Sequence, residues 1–210
     1  MTDNNFLDRR DAGRQLAKKL STYRGKSLVF ALPRGGVETA VEIANKLEVP
    51  LDLLISRKIG HPGNPEYAIG AVTATGPVYW NEAEIISLDD LWCKQAETKE
   101  REEAKRRYIA YLADRVRYSA KNKTIIVVDD GIATGLTMQA AVNELLTQKP
   151  SRIIVAVPVA PLDAIDRLLE KVDDVVVLIN PNKFLGAVGA HYTNFPQLTD
   201  EDVINLLEEV

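Results

Sequence analysis

The chain has 210 residues, 46% hydrophobic and 27% charged, which fits one folded domain with its own core rather than a disordered or fibrous polymer. Its formal charge of −4 leaves no basic excess for a nucleic-acid backbone, so DNA is not an expected partner and any anion site has to be built locally. The single cysteine, Cys93, excludes an internal disulfide and fits a reducing compartment. The polar start Met1-Thr2-Asp3-Asn4-Asn5 lacks a signal-peptide core, and no apolar run reaches membrane-span length; a cytoplasmic location without a membrane partner is expected.

Hydrophobic periodicity predicts an amphipathic helix over 8–20, with Leu16, Ala17 and Leu20 facing a core. A buried strand over 27–32 runs into Pro33-Arg34-Gly35-Gly36, and a helix over 37–47 follows. A second strand over 51–56 stops at Arg57-Lys58 and a Gly/Pro-rich loop, 60–65. Residues 68–73 and 78–80 form a hairpin around Thr75-Gly76-Pro77, and 85–119 form a long helical region. The β-branched run 125–128 is a strand buried on both faces. Beyond it come helix 139–146, strand 153–159, helix 162–169, strand 175–179 and helix 198–210, the last capped by Thr199. Strands alternating with helices imply βαβ units and a parallel sheet, an α/β fold.

The richest stretch follows strand 125–128. Asp129 and Asp130 stand at its C-terminal end, the edge where open α/β sheets bind ligands. Gly131-Ile132-Ala133-Thr134-Gly135-Leu136-Thr137 then opens a helix whose unpaired N–H groups suit a phosphate, and Gly135 lets the backbone approach closely. Carboxylates for vicinal hydroxyls beside a phosphate cradle suit a phosphorylated sugar. At Pro33-Arg34-Gly35-Gly36 the paired glycines expose N–H groups, and Arg34 is a planar cation fit for phosphate oxygens. Arg57 and Lys58 precede a loop that reads as a connector or a lid, with His61 an exposed loop residue. Residues 94–107 carry six basic and four acidic side chains and read as a solvated helix face.

Residues 127–137 resemble the signature of the type I phosphoribosyltransferases: a strand, two acids, a short loop with Thr-Gly and a closing Thr. Phe6 to Arg14, Ala31 to Gly36, Arg57 to Glu66, and Val188-Gly189 through Tyr192 and Phe195 to Asp200 resemble a bacterial subgroup of that family. The resemblance implies a single domain, 1–210. Its core spans about 25–60 and 122–180, a hairpin and helical insertion about 66–120, and a C-terminal hood about 181–210. It implies transfer of the 5-phosphoribosyl group from phosphoribosyl pyrophosphate to a nitrogen acceptor, such as a nucleobase, in a homodimer.

In that reading Asp129 and Asp130 hold the ribose hydroxyls, and Mg²⁺ is held indirectly, through those hydroxyls or water. Arg34, Arg57 and Lys58 meet the pyrophosphate beside the Gly35-Gly36 loop. Gly131, Ala133, Thr134, Gly135, Leu136 and Thr137 grip the 5′-phosphate, and Phe184 stacks on the base. An unusual, often cis, peptide is implied between Pro33 and Arg34. One departure is Ala133, where oxopurine enzymes carry an Asp that exchanges a proton with the base. The proton then goes to a leaving-group oxygen, Glu66 or water. Two other functions stand beside this one: a non-catalytic regulator that binds the same donor, and a Mg²⁺-dependent phosphohydrolase.

Overall fold

Alternate residues of the buried strands divide between two cores, as the twofold strand repeat requires. In the computed structural model, which describes residues 6–113 and 115–210, β1 (Ser27–Ala31) sends Leu28 and Phe30 to one face and Val29 and Ala31 to the other. The expectations for residues 1–5 and for position 114 lie outside the described residues. β6 (Thr124–Val128) divides in the same way, with Ile125 and Val127 opposite Ile126 and Val128. β2 (Leu51–Leu53), β7 (Arg152–Val157) and β8 (Asp174–Val177) complete a sheet in the order β2-β1-β6-β7-β8, every neighbouring pair parallel.

One face of the sheet is covered by α1 (Arg9–Lys19), α2 (Gly35–Leu47) and α7 (Asp200–Leu207), the other by α5 (Leu136–Thr147) and α6 (Leu162–Leu169). Asp8 caps α1 by accepting from the Asp11 N–H. The α1 stripe expected from the sequence is buried, and Arg9 lies on it with Ala12, Gly13, Leu16 and Ala17. Thr199 caps α7, as its sequence implied, and Asp202 completes a capping box with it.

Three expectations are corrected. The strand expected over 51–56 is two: β2 ends at Leu53, and β3 (Ser56–His61) belongs to a second sheet. The Gly/Pro-rich stretch is not a loop but the turn of a hairpin between β3 and β4 (Asn64–Thr73). Register shifts on either side of Gly60 absorb the irregularity. Gly60 lies so close to the Pro65 carbonyl that any Cβ would overlap it. β5 (Tyr79–Trp80) pairs with β4 through Gly70↔Trp80 and Ala71↔Tyr79, which is the expected hairpin.

The helical region 85–119 is likewise broken, into α3 (Glu82–Ile85) and α4 (Asp90–Leu112). Asp89 caps α4 by accepting from the Trp92 N–H. Beyond α4 the buried Asp52 carboxylate accepts from the Tyr118 N–H at 3.0 Å and Arg117 Nε at 3.1 Å, tying that segment to β2 instead of a further helical turn.

Candidate functional site at the sheet edge

The C-terminal ends of β1 and β6 meet closely. The Leu32 N–H donates to the Val128 carbonyl at 2.9 Å, the Pro33–Arg34 peptide is cis, and α2 begins at Gly35. The paired glycines therefore form the first turn of a helix rather than a free loop, and their N–H groups are among those that helical bonding leaves open. A Cβ on Gly35 would overlap Asp130 Oδ2 and lie 2.6 Å from Cγ of that carboxylate. One on Gly36 would lie 2.9 Å from Cα and Oδ1 of Asp129. Glycine at both positions is what lets the first turn of α2 approach the end of β6.

Asp129 Oδ1 accepts from the Asp130 N–H at 2.8 Å. Asp130 Oδ2 accepts from Arg9 Nε at 2.7 Å, and Tyr192 Oη donates to the Asp130 carbonyl at 2.5 Å. Burial pushes the Asp129 carboxyl well above the usual range, and the neighbouring Asp130 charge pushes it further. Burial also raises Asp130, with Arg9 opposing. Burial is the main reason the Tyr192 hydroxyl is raised.

Past the acids, Gly135 caps α5 at φ 81°, a left-handed conformation that glycine adopts without penalty. Residues Gly131 to Thr137 line a cleft of about 200 Å³ together with Lys58, Ala68 and Val188. Val188 sits so close over Gly131 that a Cβ there would overlap it. The cleft thus joins the α5 N-terminus, one cation from the second sheet and one apolar residue of the C-terminal segment.

The sequence pattern of the phosphoribosyl transferase domain is matched over residues 4–193. This chain belongs to the phosphoribosyl transferase family. Two Mycobacterium tuberculosis proteins, from strains CDC 1551 and H37Rv, carry a provisional phosphoribosyl transferase name. Each is 39% identical over 206 residues, which is 97% of this chain and 46% of the relative. The chain thus spans about half the length of the curated relatives it matches. The crystal structure of TT1426 from Thermus thermophilus superposes with a TM-score of 0.81 at 39% identity, over 98% of each chain.

The expected site residues divide into two sets. Asp129, Asp130, Gly35, Gly36, Lys58 and the Gly131-to-Thr137 loop converge. Arg34 leans toward α7, with Nη1 3.6 Å from Asp200 Oδ1; the same carboxylate accepts from Tyr111 Oη at 2.5 Å and from Arg106 at 2.8 Å. Arg57 pairs with Glu100 of α4 at 2.8 Å and lines a different cavity of about 430 Å³, between the β3–β4 hairpin and Trp92 of α4. His61 belongs to that second cavity, where its Nδ1 accepts from the Gly63 N–H at 3.0 Å. Phe184 stacks on His191 with ring centroids 5.7 Å apart, in a cluster with Phe6 and Tyr192. The side chain of Glu66, an expected proton acceptor, lies outside the described residues.

The charged face of α4 does more than meet solvent. Arg101 donates to the carbonyls of Thr73 and Gly76 at 2.9 and 2.8 Å, and Arg106 reaches Asp200, so the helix ties the second sheet to α7. Sequence reasoning gave no role to Arg9, the direct partner of Asp130. A signal existed: Arg9 falls on the i, i+3, i+4, i+7 stripe of α1, where a cation has to find a buried partner. Among the described residues no group of three or more His, Cys, Asp or Glu side chains is placed to hold a metal ion. An acid pair without a closed cage fits Mg²⁺, which keeps much of its water and takes oxygens from a phosphate substrate.

Proposed function

We propose that this protein transfers the 5-phosphoribosyl group of phosphoribosyl pyrophosphate to a nitrogen acceptor, a nucleobase in the first place, and releases pyrophosphate. The observation that carries this reading is the meeting, at one sheet edge, of the Asp129-Asp130 pair, two glycines pressed against it and the cleft between Lys58 and the α5 N-terminus. In this reading the N–H groups from Ala133 to Thr137, with the Thr134 and Thr137 hydroxyls, hold the 5′-phosphate. Asp129 and Asp130 accept from the ribose hydroxyls and stabilise positive charge on the sugar ring. Lys58 and the N–H groups at Gly35-Gly36 receive the pyrophosphate, with Arg34 beside them once it turns from Asp200. Arg57 joins them once it leaves Glu100, and Phe184 serves the base once it leaves His191.

As the bond from the anomeric carbon to the pyrophosphate oxygen breaks, its electron pair leaves with pyrophosphate. The acceptor nitrogen forms the new bond from the opposite face and releases its proton. Ala133 offers no carboxylate for that proton, so a pyrophosphate oxygen, Glu66 or water takes it. Mg²⁺, when bound with the donor, supplies neutralisation of the pyrophosphate charge. Catalysis is then mostly positioning and preorganised charge.

Pyrophosphate release, measured with phosphoribosyl pyrophosphate, Mg²⁺ and a panel of purine, pyrimidine and simple amine acceptors, tests the reading. Acceptor-dependent release supports it. Donor binding without release from any acceptor favours a regulator built on the same site, and release of inorganic phosphate from simple esters favours a hydrolase.

A further inference from the structure

Arg9 is 4% exposed, yet it belongs to the first turn of a helix whose other arginines reach the surface. Its Nε, its Nη1 and its planar face have separate partners. Nε donates to Asp130 Oδ2 at 2.7 Å, Nη1 donates to the Pro196 carbonyl at 2.8 Å, and the Phe195 ring lies 3.7 Å beneath its central carbon. Glu38 of α2 approaches the same Nη1 at 3.9 Å. Three stretches of chain remote in sequence therefore close on this α1 side chain: the end of β6, the segment ahead of α7, and α2.

The consequence for Asp130 is geometric. A carboxylate at a strand end has a free χ1 and χ2 unless something engages it. Here one oxygen is bound to a cation that is itself fixed by a ring, a carbonyl and burial. Tyr192 fixes the Asp130 backbone from the other side through the carbonyl, and Phe195 stacks on Tyr192 with centroids 4.7 Å apart. The second carboxylate oxygen is thereby held in one orientation.

We propose that Arg9 is the positioning residue for Asp130, locking one carboxylate oxygen so that the other is presented to a ribose hydroxyl of the donor. This rests on the transferase reading above. It assigns the N-terminal helix and the Phe195-Pro196 segment a part in turnover through Asp130, with no contact to substrate. Misplacement of a reacting or binding group by about an ångström costs about 100-fold in rate, and that is the scale expected on removing Arg9.

The test is a double-mutant cycle on the full chain with Arg9→Met, Arg9→Lys, Asp130→Asn and the combined variants. Donor KM and turnover are read from pyrophosphate release, and folded fraction from thermal unfolding. The expected result is a fall of about 100-fold in kcat for Arg9→Met, partial recovery in Arg9→Lys, and little further loss when Arg9→Met is added to Asp130→Asn. If Asp130→Asn is impaired while Arg9→Met turns over normally per folded molecule, the positioning role is overturned and the transferase reading stands. Independent, multiplicative losses overturn it too. If Asp130→Asn is itself as active as the parent, the reading of the site fails and the proposal with it. Should Arg9→Met not fold, the cycle with Arg9→Lys decides the same question, because Lys keeps the charge but cannot reproduce the planar, three-way engagement.

Discussion

Gly35 and Asp130, 95 positions apart in the chain, are in such close contact that a methyl group on the first would occupy the space of the second's carboxylate. The first turn of α2 and the end of β6 therefore form one surface. Gly35→Ala is expected to push the Asp130 carboxylate off its Arg9 partner. Overpacking of this kind costs about 1–3 kcal/mol, and donor binding should be lost with it. Urea unfolding and a titration with phosphoribosyl pyrophosphate measure the two effects; unchanged donor binding in a folded Gly35→Ala protein would contradict the role given to this contact.

Thr137 lines the cleft at the first turn of α5. If its hydroxyl donates to the 5′-phosphate, Thr137→Ala removes a hydrogen bond to a charged group, worth about 1.5–3 kcal/mol. The donor Kd should rise about tenfold or more, while turnover at saturating donor changes little. A loss confined to turnover would point to a different role.

Arg57 and Glu100 form an ion pair between β3 and α4, and if Arg57 meets the pyrophosphate, as proposed, Glu100 competes for it. Glu100→Gln removes the competing charge. A partly exposed pair of this kind contributes about 0.2–1 kcal/mol, so donor affinity is expected to rise by up to about fivefold. Unchanged affinity in Glu100→Gln would place Arg57 outside the donor site.

Glu103 carries a pH signature. The Arg106 hydrogen bond, with Arg107 adding to it and partial burial opposing, lowers its carboxyl from 4.5 to about 2. A carboxyl lower in the folded than in the unfolded chain contributes stability that is complete above 4.5 and fades as the pH falls toward 2. The stability difference between the parent and Glu103→Gln, measured by urea unfolding, should be constant near neutrality and close across that acid window. A difference that persists unchanged into strong acid would contradict the pairing.

Local physics made the sheet-edge signature legible. Four β-branched residues, two acids and a Gly/Thr loop leave few alternatives, and α6 is found at its expected bounds because its apolar stripe is sharp. The hairpin at 56–73 was not legible for the same reason that loops usually are. Gly60, Pro62, Gly63 and Pro65 read as punctuation, and only the tertiary pairing of Arg57 with Val72 and Lys58 with Ala71 turns them into a hairpin. That pairing sets the two cations on successive positions of β3, where both border the cavity against Trp92 and Lys58 also borders the cleft at the α5 N-terminus. The end of α4 depended on Asp52, 60 residues upstream of Leu112. Arg9 depended on taking seriously a cation on an apolar stripe.

The most direct test of the central claim is a calorimetric titration with phosphoribosyl pyrophosphate, with and without Mg²⁺, run beside Asp129→Asn/Asp130→Asn. The account predicts saturable binding at one site, tighter with Mg²⁺, and weakened in the double variant. No binding of the parent under either condition would contradict it.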